Sequence, residues 1–317
     1  MKRILFNILL FGIFLSLFIA CRKDPAPGNQ FKTENVIIIV VDGPRYSETW
    51  GDNTHQYIPH LANDLFPHGT IFSTFSNNGP TYTTAGHTAI TTGFYQEINN
   101  GGNELPMHPS LFQYYLKNTG KDSTAAWVIA SKDKLEILRN CSDETWNNKY
   151  LPSTDCGING GGIGSGYRHD SITFNQTISI LSTYHPNLVL INFREPDFSG
   201  HQNNWNNYLQ GITDTDYYSW MIWNYLQTDP FYANKTSLFI TNDHGRHLDT
   251  VSVGFASHGD SCEGCRHINL FAAGPDFTKN TVQTQMREQI DIPATIAYML
   301  KFRMEGTEGK IMYELFE

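Results

Sequence analysis

The sequence predicts an α/β protein with a doubly wound, mostly parallel sheet and helices on both faces. Two observations carry that prediction. Continuous apolar, β-branched runs of strand length recur at 35–41, 125–130, 187–193, 237–241 and 268–273, the pattern of strands buried on both faces. Helical patterns lie between several of them, at 110–118, 171–184 and 203–227, and a last one follows at 287–300. At 317 residues, with 40% hydrophobic and 13% aromatic content, the chain can bury a large core and is not disordered. No internal repeat or composition break appears after residue 34, so residues 35–317 read as one domain.

The N-terminus reads differently. Lys2 and Arg3 precede an apolar run from Ile4 to Ala20, the layout of a secretory signal. The run ends Leu17-Phe18-Ile19-Ala20-Cys21, which resembles a bacterial lipobox whose cysteine is lipidated; Phe18 departs from the usual aliphatic residue there. Residues 1–21 are therefore expected to be a signal ending in the lipidated Cys21. Residues 22–34, with Pro25, Pro27 and Gly28, are expected to be a tether. An ordinary cleaved signal or an uncleaved anchor is the competing reading. The expected location is the bacterial periplasm or cell surface, with the protein held to a membrane by its lipid. No other stretch is long and apolar enough to span a bilayer.

Four further cysteines, Cys141, Cys156, Cys262 and Cys265, form an even set. In an exported chain that predicts disulfides, with 141–156 and 262–265 favoured among three connectivities. Cys262-Glu-Gly-Cys265 also has the form of half a zinc knuckle, but no second such pair exists.

The formal charge of −9 argues against a nucleic-acid-binding surface. An acidic protein still binds anionic substrates where bound cations supply positive charge. Asp42, Asp197 and Asp243 each fall at, or a few residues past, the end of a predicted strand. In open α/β sheets the ligand site lies at those carboxyl ends. One strand-end Asp is ordinarily a cap or turn residue; three with histidines beside them are the donor set of a metal site. In Asp197-Phe-Ser-Gly-His201 the two donors are one helical turn apart. Asp243-His244 need a turn to face one centre, and Gly245 permits it. His258-Gly259 has similar freedom. Isolated histidines such as His55 or His185 read as solvated side chains.

Gly157–Gly166 is glycine-rich, but Ser153–Cys156 before it does not read as a strand. Without strand–turn–helix context a dinucleotide loop is unsupported, and a surface loop is expected.

Thr83 precedes a predicted helix near Thr84, so its hydroxyl and the next backbone N–H groups would face a phosphate at a helix N-terminus. A threonine hydroxyl is barely acidic, and a metal can make it an alkoxide at neutral pH. Thr81, Thr84 and Thr88 compete on spacing alone.

Together these segments resemble the alkaline phosphatase superfamily, and within it the bacterial type I phosphodiesterase/nucleotide pyrophosphatase-like proteins. Pro80-Thr81-Tyr82-Thr83-Thr-Ala-Gly-His87 with Thr92-Gly93 resembles the nucleophile segment. Glu195-Pro196-Asp197-Phe-Ser-Gly200-His201 and Asp243-His244-Gly245 resemble its metal motifs. His258-Gly259, the Leu270–Pro275 strand, Asp291–Thr295 and Gly309-Lys310 extend the resemblance to the C-terminus. It implies two divalent ions, most simply Zn2+. Asp197, His201 and His258 would hold one, and Asp42, Asp243 and His244 the other, with Thr83 as the attacking group between them. The implied reaction is hydrolysis of a phosphoric mono- or diester through a phosphothreonine. The implied substrate is a small-molecule phosphate ester, or a glycan or lipid headgroup.

Departures bear on the substrate. Asn192 stands where the diesterases usually carry tyrosine. Their phosphate-contacting asparagine falls at Glu104, with Asn103 one residue off. Asn103 and Arg194 are the candidate substrate contacts, ahead of Arg45 and Arg246. Fourteen positions separate His244 from His258, where nucleotide-cleaving relatives carry a long insertion, so a more open site is expected. A sulfatase-like enzyme is the main alternative, yet Thr83-Thr-Ala-Gly-His87 lacks the C/S-x-P-x-R segment that family needs. Headgroup transfer onto a glycolipid lacks its usual membrane-helix bundle. A non-catalytic surface lipoprotein would be expected to have lost a ligand or the nucleophile, and none is lost.

Overall fold

Val36–Val41 is a run of six apolar residues with no polar face to offer water, and it forms the middle of the sheet. The computed structural model describes residues 31–316. In chain order the strands and helices are β1 (Asn35–Asp42), β2 (Gly69–Ser76), α1 (Thr83–Thr92), α2 (Leu111–Thr119), β3 (Ala126–Ala130), β4 (Ser153–Cys156) and α3 (Asp170–Tyr184). Then come β5 (Leu188–Pro196), α4 (Asp197–His201), α5 (Trp205–Thr228), β6 (Thr236–Asn242), α6 (Glu263–Arg266), β7 (His267–Ala273), β8 (Thr281–Gln283), β9 (Arg287–Glu288) and α7 (Asp291–Met299). All strands share one sheet in the order β4-β3-β5-β1-β6-β7-β2-β8, with β9 also paired to β2. Every pairing is parallel except those of β7 with β6 and β2, as expected of a mostly parallel, doubly wound sheet.

The alternation of β1 divides the interior into two cores. Val36, Ile38 and Val40 pack with side chains of α1, α2 and α7 on one face. Ile37, Ile39 and Val41 pack with those of α3 and α5 on the other. Each of these fully buried aliphatic side chains contributes roughly 1.5–3 kcal/mol. Ser110 opens α2 with a capping box, its hydroxyl accepting from Gln113 N while the Gln113 side chain accepts from Ser110 N. Among the described residues no helix is long and apolar enough to cross a membrane.

Some expectations need correction. Ser153–Cys156 is a strand after all, paired with β3 at the sheet's edge; being Ser-Thr-Asp-Cys, it carries no apolar run to announce it. The glycine-rich segment after it leads to no phosphate-binding helix. It folds over Asp133, whose carboxylate accepts from Gly164 N and Gly166 N. The predicted helix 287–300 starts later, because Arg287–Glu288 first pair with the β2 edge. Strand β2 and the edge strand β8 beside it had no counterpart in the sequence prediction.

None of the four cysteines at 141, 156, 262 and 265 is in a disulfide. Cys141 and Cys156 are buried as free thiols in the apolar core, where Cys156 donates to the Val128 carbonyl. The signal segment, Cys21 and tether residues 22–30 lie outside the described residues. The tether's last residues, 31–34, are fixed to the domain: Phe31 packs on Tyr298 and Phe316, and Lys32 and Thr33 donate to Asp276.

Candidate active site

The site is made where β1, β5 and β6 end together. β1 ends on Asp42 and β6 on Asn242, directly before Asp243. On β5 the register slips, so that Asp42 pairs with Pro196 while Val41 pairs with Phe193. That irregularity carries the chain to Asp197, the first residue of α4. Gly43 makes the convergence possible. Its φ of +68° suits glycine, and a Cβ there would stand 3.1 Å from the Asp197 carboxylate and from the His244 ring.

The acids and histidines lie together, with His201 outside the two tightest donor groups. His244 Nε2 lies 3.5 Å from both Asp42 Oδ1 and Asp243 Oδ2. Asp197 Oδ1 lies 3.3 Å from His258 Nε2 and 3.4 Å from His201 Nε2, and those two nitrogens are 3.0 Å apart. The His244 and His258 rings stack at 3.8 Å, so the two groups are contiguous. Backbone carbonyls orient the rings: His244 Nδ1 bonds to Gly245 O and His258 Nδ1 to Thr81 O, which leaves each Nε2 facing the carboxylates. His201 is the exposed member, its side chain 53% accessible.

The residues fit a cation. Asp42 Oδ1, Asp243 Oδ2 and His244 Nε2 are buried without a hydrogen-bond partner, and they point at one another. Burying three such atoms together is costly unless something positive joins them. Asp42, Asp243 and His244 form one donor group, and Asp197, His244 and His258 a second that shares His244. Imidazole and carboxylate donors suit Zn2+.

Thr83 opens α1, and its hydroxyl accepts from Lys132 Nζ at 3.2 Å. His87, one turn on, bonds through Nδ1 to Thr83 O and sits 3.3 Å from Asp243 Oδ2. Asn192 Nδ2 reaches both Asp42 and His87, so the residue that departs from the diesterase tyrosine lines the floor of the site.

Lys132 is the principal residue that sequence reasoning missed. It is buried, with Nζ 2.8 Å from Asp42 Oδ2 and 2.7 Å from Asp197 Oδ2. Burial alone would lower its pKa, but Asp197, Asp42 and Asp243 outweigh burial and raise it, so the ammonium stays charged. Burial would likewise raise Asp197; Lys132, the His258 hydrogen bond and Arg246 together hold it well below the carboxylate range. Burial and neighbouring His244 push His258 down to about 4. Burial and the charge on Lys132 bring Lys134 down to about 8; its ammonium donates to Asn100 Oδ1.

Arg194 lays its guanidinium over Phe198, 4.0 Å from the ring centroid; Arg246 is the buried arginine that meets Asp197. Both arginines neighbour a ligand motif in sequence, and side-chain direction decides between them. Asn103 is exposed, because the chain turns at Asn99–Gly102. Asn100 is the amide held against α1, accepting from Thr84 N and Thr84 Oγ1. Arg45 is paired with Glu48 and Asp249.

Residues 34–301 match the family model described as Sulfatase. None of the curated proteins is similar enough in sequence to match. Among solved structures, the phosphonate monoester hydrolase SpPMH from Silicibacter pomeroyi superposes with a TM-score of 0.67 at 12% identity, over 88% of this chain and 76% of that one. Murine ectonucleotide pyrophosphatase/phosphodiesterase 5 superposes with a TM-score of 0.64 at 14% identity, over 89% of this chain and 100% of that one. The lipoteichoic acid synthase LtaP from Listeria monocytogenes gives 0.61 at 13% identity, over 88% and 74%.

Proposed function

The chain belongs to the sulfatase family, within the alkaline phosphatase superfamily of hydrolases, and on that premise we propose that it hydrolyses phosphoric esters through Thr83. The observation that carries this reading is the hydroxyl of Thr83. It stands at the start of a buried helix, 3.2 Å from the Lys132 ammonium, and that ammonium also touches Asp42 and Asp197. The residues that follow it, Thr84-Ala85-Gly86-His87, do not supply a formylglycine segment.

Asp42, Asp243 and His244 would hold one divalent ion; His201 Nε2, 3.4 Å from Asp197 Oδ1 and 3.0 Å from His258 Nε2, would join those two residues on a second, most simply Zn2+ in each case. Such ions acidify the attacking hydroxyl and neutralise charge on the phosphoryl oxygens. The chain's own groups do the rest. Lys132 donates to Thr83 Oγ1 and favours its alkoxide. The Gly245 and Thr81 carbonyls hold His244 and His258 in one tautomer. Attack by Thr83 Oγ1 on phosphorus forms the Thr–O–P bond and releases the alcohol, and water then hydrolyses the phosphothreonine. Lys134, brought down to about 8, stands at Asn100 beside α1 as a further positive group for the substrate's anionic end. The exposed His201 leaves one side of the site accessible, which suits an ester carried on a larger glycan or lipid headgroup as well as a small one.

The test is zinc-loaded enzyme assayed in parallel on p-nitrophenyl phosphate, bis-p-nitrophenyl phosphate and p-nitrophenyl sulfate. Turnover of a phosphate ester, abolished in Thr83→Ala, is the expected result. The family match favours sulfate ester hydrolysis as the second reading, and preference for the sulfate would establish it instead. The lipid read at Cys21 belongs to the same proposal: Cys21→Ala is expected to release the activity from the membrane fraction.

A further inference from the structure

We propose a further metal site, a structural Zn2+ centre formed by His247, Asp260, Cys262 and Cys265. One donor atom from each of these four residues lies within 4.8 Å of the others. None of the four belongs to the cluster around Thr83. His247 carries the argument. It is 5% exposed, neither ring nitrogen has a hydrogen-bond partner, and its Nε2 stands 3.1 Å from Asp260 Oδ2. A buried imidazole left unbonded is costly, and a cation at its nitrogen removes that cost.

The cysteines supply the second, independent observation. Cys262 and Cys265 are both free thiols, with two residues between them across the start of α6. That spacing is typical of one half of a structural zinc site. The missing half is not another cysteine pair, which explains why the sequence alone does not reveal it. It comes from His247, before the loop, and from Asp260, whose other carboxylate oxygen accepts from Cys262 N. A disulfide between Cys262 and Cys265 would leave the imidazole with Asp260 alone and its Nδ1 unbonded. A metal satisfies all four groups. Zinc bonds of about 2.0–2.3 Å place tetrahedral donors roughly 3.3–3.8 Å apart, so the four atoms need to close by about 1 Å. Burial pushes the Cys265 thiol up to about 12, so zinc must displace thiol protons and uptake strengthens with pH.

The centre would tie together segments that carry the active site. Gly245 N, beside His244, donates to Cys265 O. Thr81 Oγ1 donates to Asp260 O, and Thr81 O receives His258 Nδ1. Three separate segments are thus clamped at one point: the approach to Thr83, the turn at His244 and the loop bearing His258.

Cobalt substitution tests this directly. Only a thiolate ligand produces a sulfur-to-Co2+ charge-transfer band in the near ultraviolet, and the Thr83 cluster contains no cysteine. Wild-type protein reconstituted with Co2+ is expected to show the band and to bind one more equivalent than Cys262→Ser or His247→Ala. Should those variants fail to fold, alkylation of the wild type decides: Cys262, the partly exposed thiol, is expected to be protected when zinc is bound and to react after chelation. Cobalt-loaded wild type without the band, or peptide mapping that finds a Cys262–Cys265 disulfide, would overturn the proposal. Absence of esterase activity would leave the band unchanged, so the two readings fail separately.

Discussion

Replacing Gly86 by alanine adds one methyl group where α1 crosses the end of β6. A Cβ on Gly86 would stand 2.4 Å from Asp243 O and 2.8 Å from both Asp243 C and Cβ. Carbon–oxygen contacts ordinarily begin near 3.3 Å, so helix and strand end must separate by about 1 Å. The strand end has little room to retreat. Asp243 O already accepts from Asn77 Nδ2 at 2.9 Å and from Gln289 Nε2 at 2.5 Å. Helix propensity opposes the damage, since alanine is better than glycine by roughly 0.8–1 kcal/mol. Overpacking costs about 1–3 kcal/mol, and each strained hydrogen bond adds about 1 kcal/mol. The net expectation is a loss of roughly 2–4 kcal/mol, or several degrees in Tm. Asp243 also moves relative to Thr83 and His244, and a 1 Å misplacement costs on the order of 10²-fold in rate. Thermal melting, bound metal per chain and kcat/KM on the preferred ester would be measured together. An unchanged Tm with unchanged kcat/KM refutes the close-contact argument.

Two further outcomes follow from buried charges. Lys132→Met removes a cation that occupies the space between Asp42 and Asp197. Metal retention against a chelator is expected to tighten, while kcat/KM falls roughly 10²–10³-fold with the loss of the donor to Thr83. The metal-free protein is expected to lose about 3–5 kcal/mol of stability from its broken buried pair; weaker metal retention would contradict this account. Asp216, buried where it accepts from His60 N and Leu61 N, is pushed up by burial to about 6. A raised carboxyl pKa means the native state holds a proton that the unfolded chain releases. The stability this contributes is therefore full below pH 3.8 and is lost as pH rises to about 6, amounting to about 3 kcal/mol. Denaturation of Asp216→Asn and wild type across pH 4–6 should diverge by that slope, and parallel curves would count against it.

How much of this could be read beforehand depends on whether a signal was local. Asp42, Asp197 and Asp243 were legible because each interrupts or closely follows an apolar run, and a strand that stops on an acid points to a sheet edge. Lys132 lies just past the end of β3, a strand that was predicted and that neighbours β5. Its position could have been noticed, but a lysine at a strand end is usually solvated. Arg246 and Arg194 flank the two motifs symmetrically in sequence, and only the packing of Arg246 against Gly200 and Asp197 separates them. Strand β4 was invisible because an edge strand of polar residues has no apolar period to show. Cys262 and Cys265 were recognised as a pair, but His247 and Asp260, which lie beside them, trail the motifs at Asp243–Gly245 and His258-Gly259 and carry no signal of their own.

The position of β1 has a consequence for the order in which the molecule can be made. Its two neighbours in the sheet, β5 and β6, are synthesised long after it: Asn192, which reaches Asp42, is 150 residues away, and Asp243, which reaches Gly43, is 200. Until both have emerged, the most apolar strand of the chain has no one to pair with, and it must be kept from other partners. The cluster is still incomplete then, since His258 comes later again. A chain cut between β6 and His258 could pair β4, β3, β5, β1 and β6 without ever acquiring the full set of donors. Emergence of His258, more than the collapse of the sheet, is therefore the event that completes this cluster.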